Sequence, residues 1–130
     1  MHLVDSESTT LRLKTLRRLL GRDRQLRVFD AGTSIGEVRW ELAGTSAIAA
    51  IVGIDGVLSG TASFEDLAGF DPEVVVGDVT DRAAPMAEAE AEVEDAWQLL
   101  QERHADRVVV VSPSGELLGI LTSAELEAAL

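Results

Sequence analysis

The chain has no cysteine and no tyrosine, and only 4% of its 130 residues are aromatic. Without cysteine it can form neither a disulfide framework nor a thiolate metal site. No apolar run approaches the roughly 20 residues that cross a bilayer, and the N-terminal segment lacks the apolar stretch of a signal peptide. We therefore expect a protein of the reducing cytoplasm that does not span a membrane.

Charge is distributed unevenly along the chain. Hydrophobic residues make up 46% and charged residues 26%, which is typical of a globular protein, and the net charge is −12. Residues 1–27 hold seven of the eleven basic and three of the 23 acidic side chains, a net charge of +4, whereas residues 28–130 carry −16. Because an acidic body repels phosphate backbones at long range, nucleic acid is not expected as the main partner.

An internal repeat organises the chain. Residues 49–67 align without gaps on residues 108–126 at an offset of 59, and both segments contain a glycine, a hydroxyl and a carboxylate at three-residue spacing. The first copy reads "GTASFEDL" from Gly60 and the second reads "GILTSAEL" from Gly119. Apolar residues further upstream also repeat, at the i, i+3, i+7 spacing of one helical face. A half of this size buries too little surface to be stable alone, so the two halves are expected to fold together.

Each half predicts the order β-α-β-β-α, an α+β fold. Hydrophobic patterns and turn residues predict strands over residues 27–29, 47–54 and 57–62 and helices over 34–42 and 64–69 in the first half; the second half has strands over 85–87, 107–112 and 116–121 and helices over 92–103 and 123–130. Gly56 and Gly115 supply the positive φ of a tight hairpin turn between the last two strands.

The second half, "RVVVVSPSGELLGILTSAEL", resembles a CBS domain, the regulatory module named after cystathionine β-synthase, and "AAIVGIDGVLSGTASFEDL" resembles it more weakly. The segment "VVVGDVTD" is similar to the lead-in of a second such repeat. The resemblance covers residues 26–130 and implies a CBS-domain pair, with repeats over 26–70 and 71–130 related by pseudo-two-fold symmetry. Residues 1–25 lie outside it, as a basic N-terminal amphipathic helix or arm.

The repeated hydroxyl–carboxylate motif has two interpretations. Thr122 to Glu125 fits a capping box, and Ser63 to Asp66 fits a version with a shorter acidic side chain. The same geometry suits a nucleotide, because a helix N-terminus attracts phosphate and a carboxylate one turn later can accept from ribose hydroxyls. The local pattern leaves both interpretations open.

The resemblance implies a ligand for this motif. In CBS pairs the pattern commonly binds AMP, ADP, ATP or S-adenosylmethionine in the cleft between the repeats. Carried over, Ser63 would contact phosphate and Asp66 the ribose; Thr122 matches Ser63, whereas Glu125 is one methylene longer than the family's aspartate and fits a cap better. The expected site also includes the two motif glycines, which let a ligand approach the strand, and apolar or lead-in walls: Gly60, Gly119, Phe29, Asp30, Met86 and Ala87.

No catalytic or metal-binding pattern stands out. The chain has only two histidines, no Ser-His-Asp order and no paired-histidine motif, and its glycine-rich "GIDGVLSG" lacks the Lys-Ser/Thr of a P-loop. The five carboxylates of residues 88–95 are typical of a solvated helix start rather than a Mg²⁺ or Ca²⁺ site. We therefore expect no enzyme activity, no metal and no required cofactor.

The N-terminal segment predicts a basic amphipathic helix. Residues 8–10 are candidate caps, Leu13, Leu16 and Leu20 share one face, and Gly21 fits the end. The simplest role is to pack these leucines on the chain's own domain or on a second subunit; attachment to an anionic membrane or to nucleic acid is a weaker alternative.

A homodimer is the expected assembly, and an effector protein of unknown identity is the expected target of regulation. Trp40 and Trp97 fall on predicted helices, where packing in the core or between subunits is favoured over stacking on a base. The alternative to ligand sensing is a ligand-free module for homodimerisation or protein docking.

Overall fold

The computed structural model describes residues 14–21, 26–80 and 84–130. These residues belong to two units: the first unit comprises Gln25–Ala84, and the second comprises Pro85–Leu130 together with the N-terminal residues up to Arg24. This division differs from the predicted one. Residues 71–80 belong to the first unit rather than to the second repeat, and residues 14–21 are part of the second unit rather than a separate arm.

The elements follow the predicted order closely. Along the chain they are α1 (Leu16–Leu20), β1 (Val28–Asp30), α2 (Ile35–Leu42), β2 (Ile48–Val52), β3 (Leu58–Ser63), 3-10 turns at Glu65–Leu67 and Val76–Asp78, β4 (Met86–Glu88), α3 (Val93–Arg103), β5 (Arg107–Val111), β6 (Leu117–Thr122) and α4 (Ser123–Ala128). The α+β fold class is therefore confirmed.

Each unit contains a sheet of the same topology. The strand orders are β1-β2-β3 and β4-β5-β6, with the first pair parallel and the second antiparallel. A helix joins the parallel strands, as such a crossover requires. Both hairpins shift register at the same place, between Ile51 and Val52 and between Val110 and Val111. The shared irregularity supports the duplication inferred from the sequence.

The last predicted helix of the first half is much shorter than expected. In place of a helix over residues 64–69, the structure has a single 3-10 turn at Glu65–Leu67. Gly69 follows with φ of +90°, a left-handed conformation that ends helices. The chain then turns at Pro72, which a helix interior excludes.

The core of the first unit is closed by the segment after its last predicted element. One face of α2 buries Ile35, Val38 and Leu42 completely. Val76 is also fully buried in this core, and its N–H donates to the Thr33 carbonyl at 2.7 Å. Residues 74–79, which resemble the lead-in of the second repeat, therefore complete the first unit.

Gly77 shows how closely this closing segment approaches. Its N–H donates to the Ala31 carbonyl at 2.9 Å. A Cβ at Gly77 would lie 2.9 Å from that carbonyl oxygen and 2.7 Å from the Ala31 Cβ. A side chain would therefore displace the segment, and only glycine fits without a shift.

Helix α1 closes the second unit in the same way. Leu16 is fully buried and Leu20 is nearly so, both in a core that α3 and β5 supply. The N–H groups of Leu16 and Arg17 donate to the carbonyls of Ala91 and Ala89 at 3.0 and 2.9 Å. The predicted packing of these leucines on the chain's own domain is thus confirmed.

The start of α1 differs from the prediction. Its N-cap is Thr15, whose hydroxyl accepts from the Arg18 N–H, and Gly21 ends the helix as expected. The predicted caps at residues 8–10 and the predicted face residue Leu13 lie outside the described residues.

We expect Leu16→Ala to lower the free energy of unfolding by about 2–5 kcal/mol, because it leaves a cavity in a closed core. Arg18→Ala, on the exposed side of the same helix, should change it by less than about 0.5 kcal/mol. Urea denaturation measures both values. Equal, small effects of the two substitutions would show that α1 is not part of the second unit's core.

Candidate functional site

The motif of the first unit forms a closed pair of hydrogen bonds where β3 ends. The Ser63 N–H donates to Asp66 Oδ2 at 2.9 Å, and the Asp66 N–H donates to Ser63 Oγ at 3.1 Å. Ser63 is 9% exposed, whereas Asp66 is exposed. The hydroxyl and the carboxylate are therefore held together, with the acidic side chain reaching solvent. We call these four residues, 63–66, the first box.

The motif of the second unit forms the predicted capping box at the start of α4. The Thr122 N–H donates to Glu125 Oε1 at 3.1 Å, and the Glu125 N–H donates to Thr122 Oγ1 at 3.1 Å. The Thr122 hydroxyl also donates to Glu125 Oε1 at 3.3 Å. We call residues 122–125 the second box. Both copies of the motif thus act as caps.

A capping role does not use the full hydrogen-bonding capacity of a hydroxyl and a carboxylate. A carboxylate offers about four acceptor positions, and a hydroxyl that accepts one hydrogen bond still carries its own proton. The first box can therefore keep its internal bonds and also contact a polar ligand, whereas in the second box the Thr122 proton is donated to Glu125. The cap and the ligand interpretations are compatible.

The two motif glycines occupy equivalent places. Gly60 is paired with Ile51, and Gly119 with Val110, each just before the register shift of its hairpin. At Gly119 the space left by the absent side chain is filled by α1: a Cβ there would lie 2.7 Å from Leu20 Cδ2. The structure thus gives Gly119 a packing role that the sequence interpretation, approach of a ligand, did not include.

The four predicted wall residues divide into packed and exposed ones. Phe29 and Ala87 are half-buried and pack against the cores of their own units. Asp30 is exposed, and its Oδ1 accepts from the Gly32 N–H at 2.7 Å; Met86 is 54% exposed. In each sheet these residues lie on the edge strand opposite the one that carries the motif.

Arg107 lies beside the second box, and the sequence analysis did not single it out. It is buried, and it is paired in register with Thr122 of the second box. Directly opposed residues on antiparallel strands have Cβ atoms about 4.5–5.5 Å apart, so this arginine adjoins the box. Its Nε and Nη2 donate to Asp106 Oδ1 and Oδ2 at 2.9 and 3.1 Å. In the sequence, the only sign of this position is that one arginine precedes four valines in β5.

The described residues contain neither a metal-binding cluster nor a membrane-spanning helix. Within them no three histidine, cysteine, aspartate or glutamate side chains converge as a metal site would need. In the same part of the chain no helix is long and apolar enough to cross a bilayer.

The C-terminal part of the sequence is similar to a known family. Residues 76–130 match the family model of the CBS domain. That segment is similar to a CBS domain. No curated protein has a sequence that matches the chain. CBS domains are generally regulatory modules rather than catalysts, and some bind AMP or ATP.

Solved structures show that the CBS-pair fold extends over almost the whole chain. A CBS-domain protein from Agrobacterium tumefaciens has a TM-score of 0.75 and 19% identity over 90% of this chain and 93% of its own. CBSX2 in complex with AMP has a TM-score of 0.72 and 25% identity over 89% and 95% of the two chains. The cytosolic domain of the Mg²⁺ channel MgtE, in complex with ATP, has a TM-score of 0.67 and 22% identity; 91% of this chain covers 47% of it.

We expect Ser63→Ala and Thr122→Ala each to lower the free energy of unfolding by about 1 kcal/mol, because each removes the acceptor of a cap N–H. Ser46→Ala, on an exposed loop, serves as the control and should have little effect. Denaturant unfolding measures the three variants. A Ser63 variant as stable as the control would mean that the first box contributes nothing to the fold.

Proposed function

We propose that this protein is a non-catalytic regulatory module that senses an adenosine-containing ligand, AMP, ADP, ATP or S-adenosylmethionine, at the first box. The observation that carries the proposal is the reciprocal Ser63–Asp66 pair at the end of β3, within a fold shared with CBS pairs. The AMP complex of CBSX2 and the ATP complex of MgtE support the ligand class.

The chemistry of the first box fits a nucleoside phosphate. Ser63 Oγ accepts from the Asp66 N–H, so its own proton can be donated to a phosphate oxygen. Asp66 is exposed, and a carboxylate offers about four acceptor positions, which suits the hydroxyls of a ribose. Because the pair is already closed, a ligand would not have to order it.

The second box is less suited to a ribose. Glu125 is longer than an aspartate, and the glycine position of this motif is filled by Leu20. Arg107 beside Thr122 would attract a phosphate, but its guanidinium is already engaged by Asp106. We therefore assign the principal ligand site to the first unit. The effector protein and the cytoplasmic location stay predictions.

Calorimetry and thermal unfolding with AMP, ADP, ATP and S-adenosylmethionine test the proposal. A ligand at about 100 times its Kd adds about 2.7 kcal/mol to the free energy of unfolding, which raises the Tm of a domain of this size by several degrees. Asp66→Asn should abolish the shift, because the amide presents N–H donors to the ribose hydroxyls in place of an acceptor. Glu65→Gln, a neutralised exposed neighbour, should retain it. The absence of a shift with all four ligands would refute the proposal.

A second candidate function is homodimerisation, and one observation favours it. Trp40 on α2 is 81% exposed although it is the largest side-chain type. Tryptophan is enriched in protein–protein interfaces, where it often contributes much of the binding energy. Gly36, one turn earlier on the helix, lies close to Pro72 and presents no side chain beside the indole. We propose a second copy of this chain as the partner of this surface.

If α2 forms the dimer contact, Trp40→Ser should weaken dimerisation at least tenfold, because it removes the central apolar side chain of the contact. Ile54→Ser is the control, since Ile54 is 99% exposed but lies in the hairpin turn. Sedimentation equilibrium gives the dissociation constants. A monomeric wild type, or equal effects of the two substitutions, would rule out this interface.

A further inference from the structure

Arg39 lies on α2 with its polar head beside the first box. Its Nε is buried and has no hydrogen-bond partner among the residues that the structure describes. The guanidinium carbon lies 5.6 Å from the centroid of the Phe64 ring, within the range of a cation–π interaction. Phe64 is the residue between Ser63 and the 3-10 turn that carries Asp66. Arg39 thus contacts the box through one aromatic ring.

A buried donor without an acceptor is costly, so its retention calls for a compensating interaction. The face of an aromatic ring supplies one, because its negative electrostatic potential attracts a cation. Phe64 is half-buried and packs against the core of the first unit. The Phe64 ring therefore contacts both the core of the first unit and the Arg39 guanidinium.

The first box needs such support more than the second box does. It closes on a 3-10 turn of three residues, whereas the second box opens a six-residue α-helix. Short 3-10 segments have poorer hydrogen-bond geometry and little cooperative stability of their own. At the equivalent positions of the second unit the chain has Trp97 and Ser123, which cannot form this cation–π pair.

We propose that Arg39 is a positioning residue that holds the Ser63–Asp66 pair in its closed geometry by clamping Phe64. The consequence for ligand affinity rests on the proposed function. The consequence for the box itself does not, because it concerns hydrogen bonds within the free protein.

Amide hydrogen exchange of the ligand-free protein tests the clamp directly. In Arg39→Met, which keeps the length of the side chain but removes the charge, the Ser63 and Asp66 amides should exchange about five to ten times faster. The Thr122 and Glu125 amides are the internal control and should be unchanged. Arg39→Lys should restore part of the protection, because an ammonium also attracts the ring face. Unchanged exchange at Ser63 and Asp66, or equal acceleration in both boxes, would overturn the proposal.

A second variant separates the clamp from general loosening of α2. Phe64→Leu should accelerate exchange at the first box as Arg39→Met does, and the double variant should exchange no faster than the more affected single variant, because both changes remove one interaction. Accelerations that multiply in the double variant would overturn the pairing of Arg39 with Phe64.

AMP binding by calorimetry then separates the clamp from the site. Arg39→Met should weaken AMP binding about five- to tenfold, in proportion to the opening of the box. A wild-type affinity in this variant would overturn the inferred effect on the ligand. Failure of the wild type to bind any of the four adenosyl ligands would instead overturn the proposed function, while the exchange comparison still decides whether Arg39 positions the box.

Discussion

Neither unit can close its core with the elements of one repeat, and this constraint shapes the whole chain. Three strands and one long helix leave an apolar gap that a short segment from outside the repeat must fill. Val76 fills it in the first unit and Leu16 in the second, and both are completely buried. The hydrogen bonds match as well: Gly77 and Arg17 each donate to an alanine carbonyl at 2.9 Å. Burial of apolar surface supplies the driving force, and these backbone bonds fix the position.

Because of these closing segments, the order of the parts along the sequence differs from their grouping into folded units. The segment that completes the second unit precedes the first unit in the sequence, and the segment that completes the first unit follows β3. The stretch of residues 76–130 that matches the family model therefore lacks α1, which supplies two core leucines. The same stretch begins with Val76, which belongs to the core of the first unit. In this chain the limits of the sequence repeat and those of the folded units do not coincide.

Local patterns were sufficient to predict most elements. The strands and the longer helices lie within about two residues of their predicted bounds, because alternation, helical spacing and turn glycines are properties of neighbouring residues. The unit boundaries were not predictable in this way. They depend on contacts such as Leu16 with the core around α3, between residues that are far apart in the sequence. The truncated helix after β3 was within reach, because Gly69 and Pro72 both mark its end.

The site shows the same division between local and distant information. Both boxes follow from a hydroxyl and a carboxylate three residues apart, and their hydrogen bonds are confirmed. The role of Gly119 was not predictable, because Leu20, which fills the space beside it, precedes it by almost the entire length of the chain. The burial of Arg107 was also not predictable from the sequence. A charged side chain at a strand start is ordinarily exposed, and here Asp106 provides the compensating charge.

The capping bonds bear on recognition because they order the functional groups before any ligand arrives. Immobilising a side chain on binding costs roughly 0.5–1.5 kcal/mol, and a residue already fixed by a cap avoids most of that cost. In the second box the same bonds serve the fold: the longer Glu125 carboxylate caps a regular α-helix. Leu20 and the Arg107–Asp106 pair occupy the space around this box. The first box ends on a shorter turn and leaves Asp66 exposed. A duplicated cap has thus diverged, and the copy with the weaker local structure is the one with acceptor atoms directed to solvent.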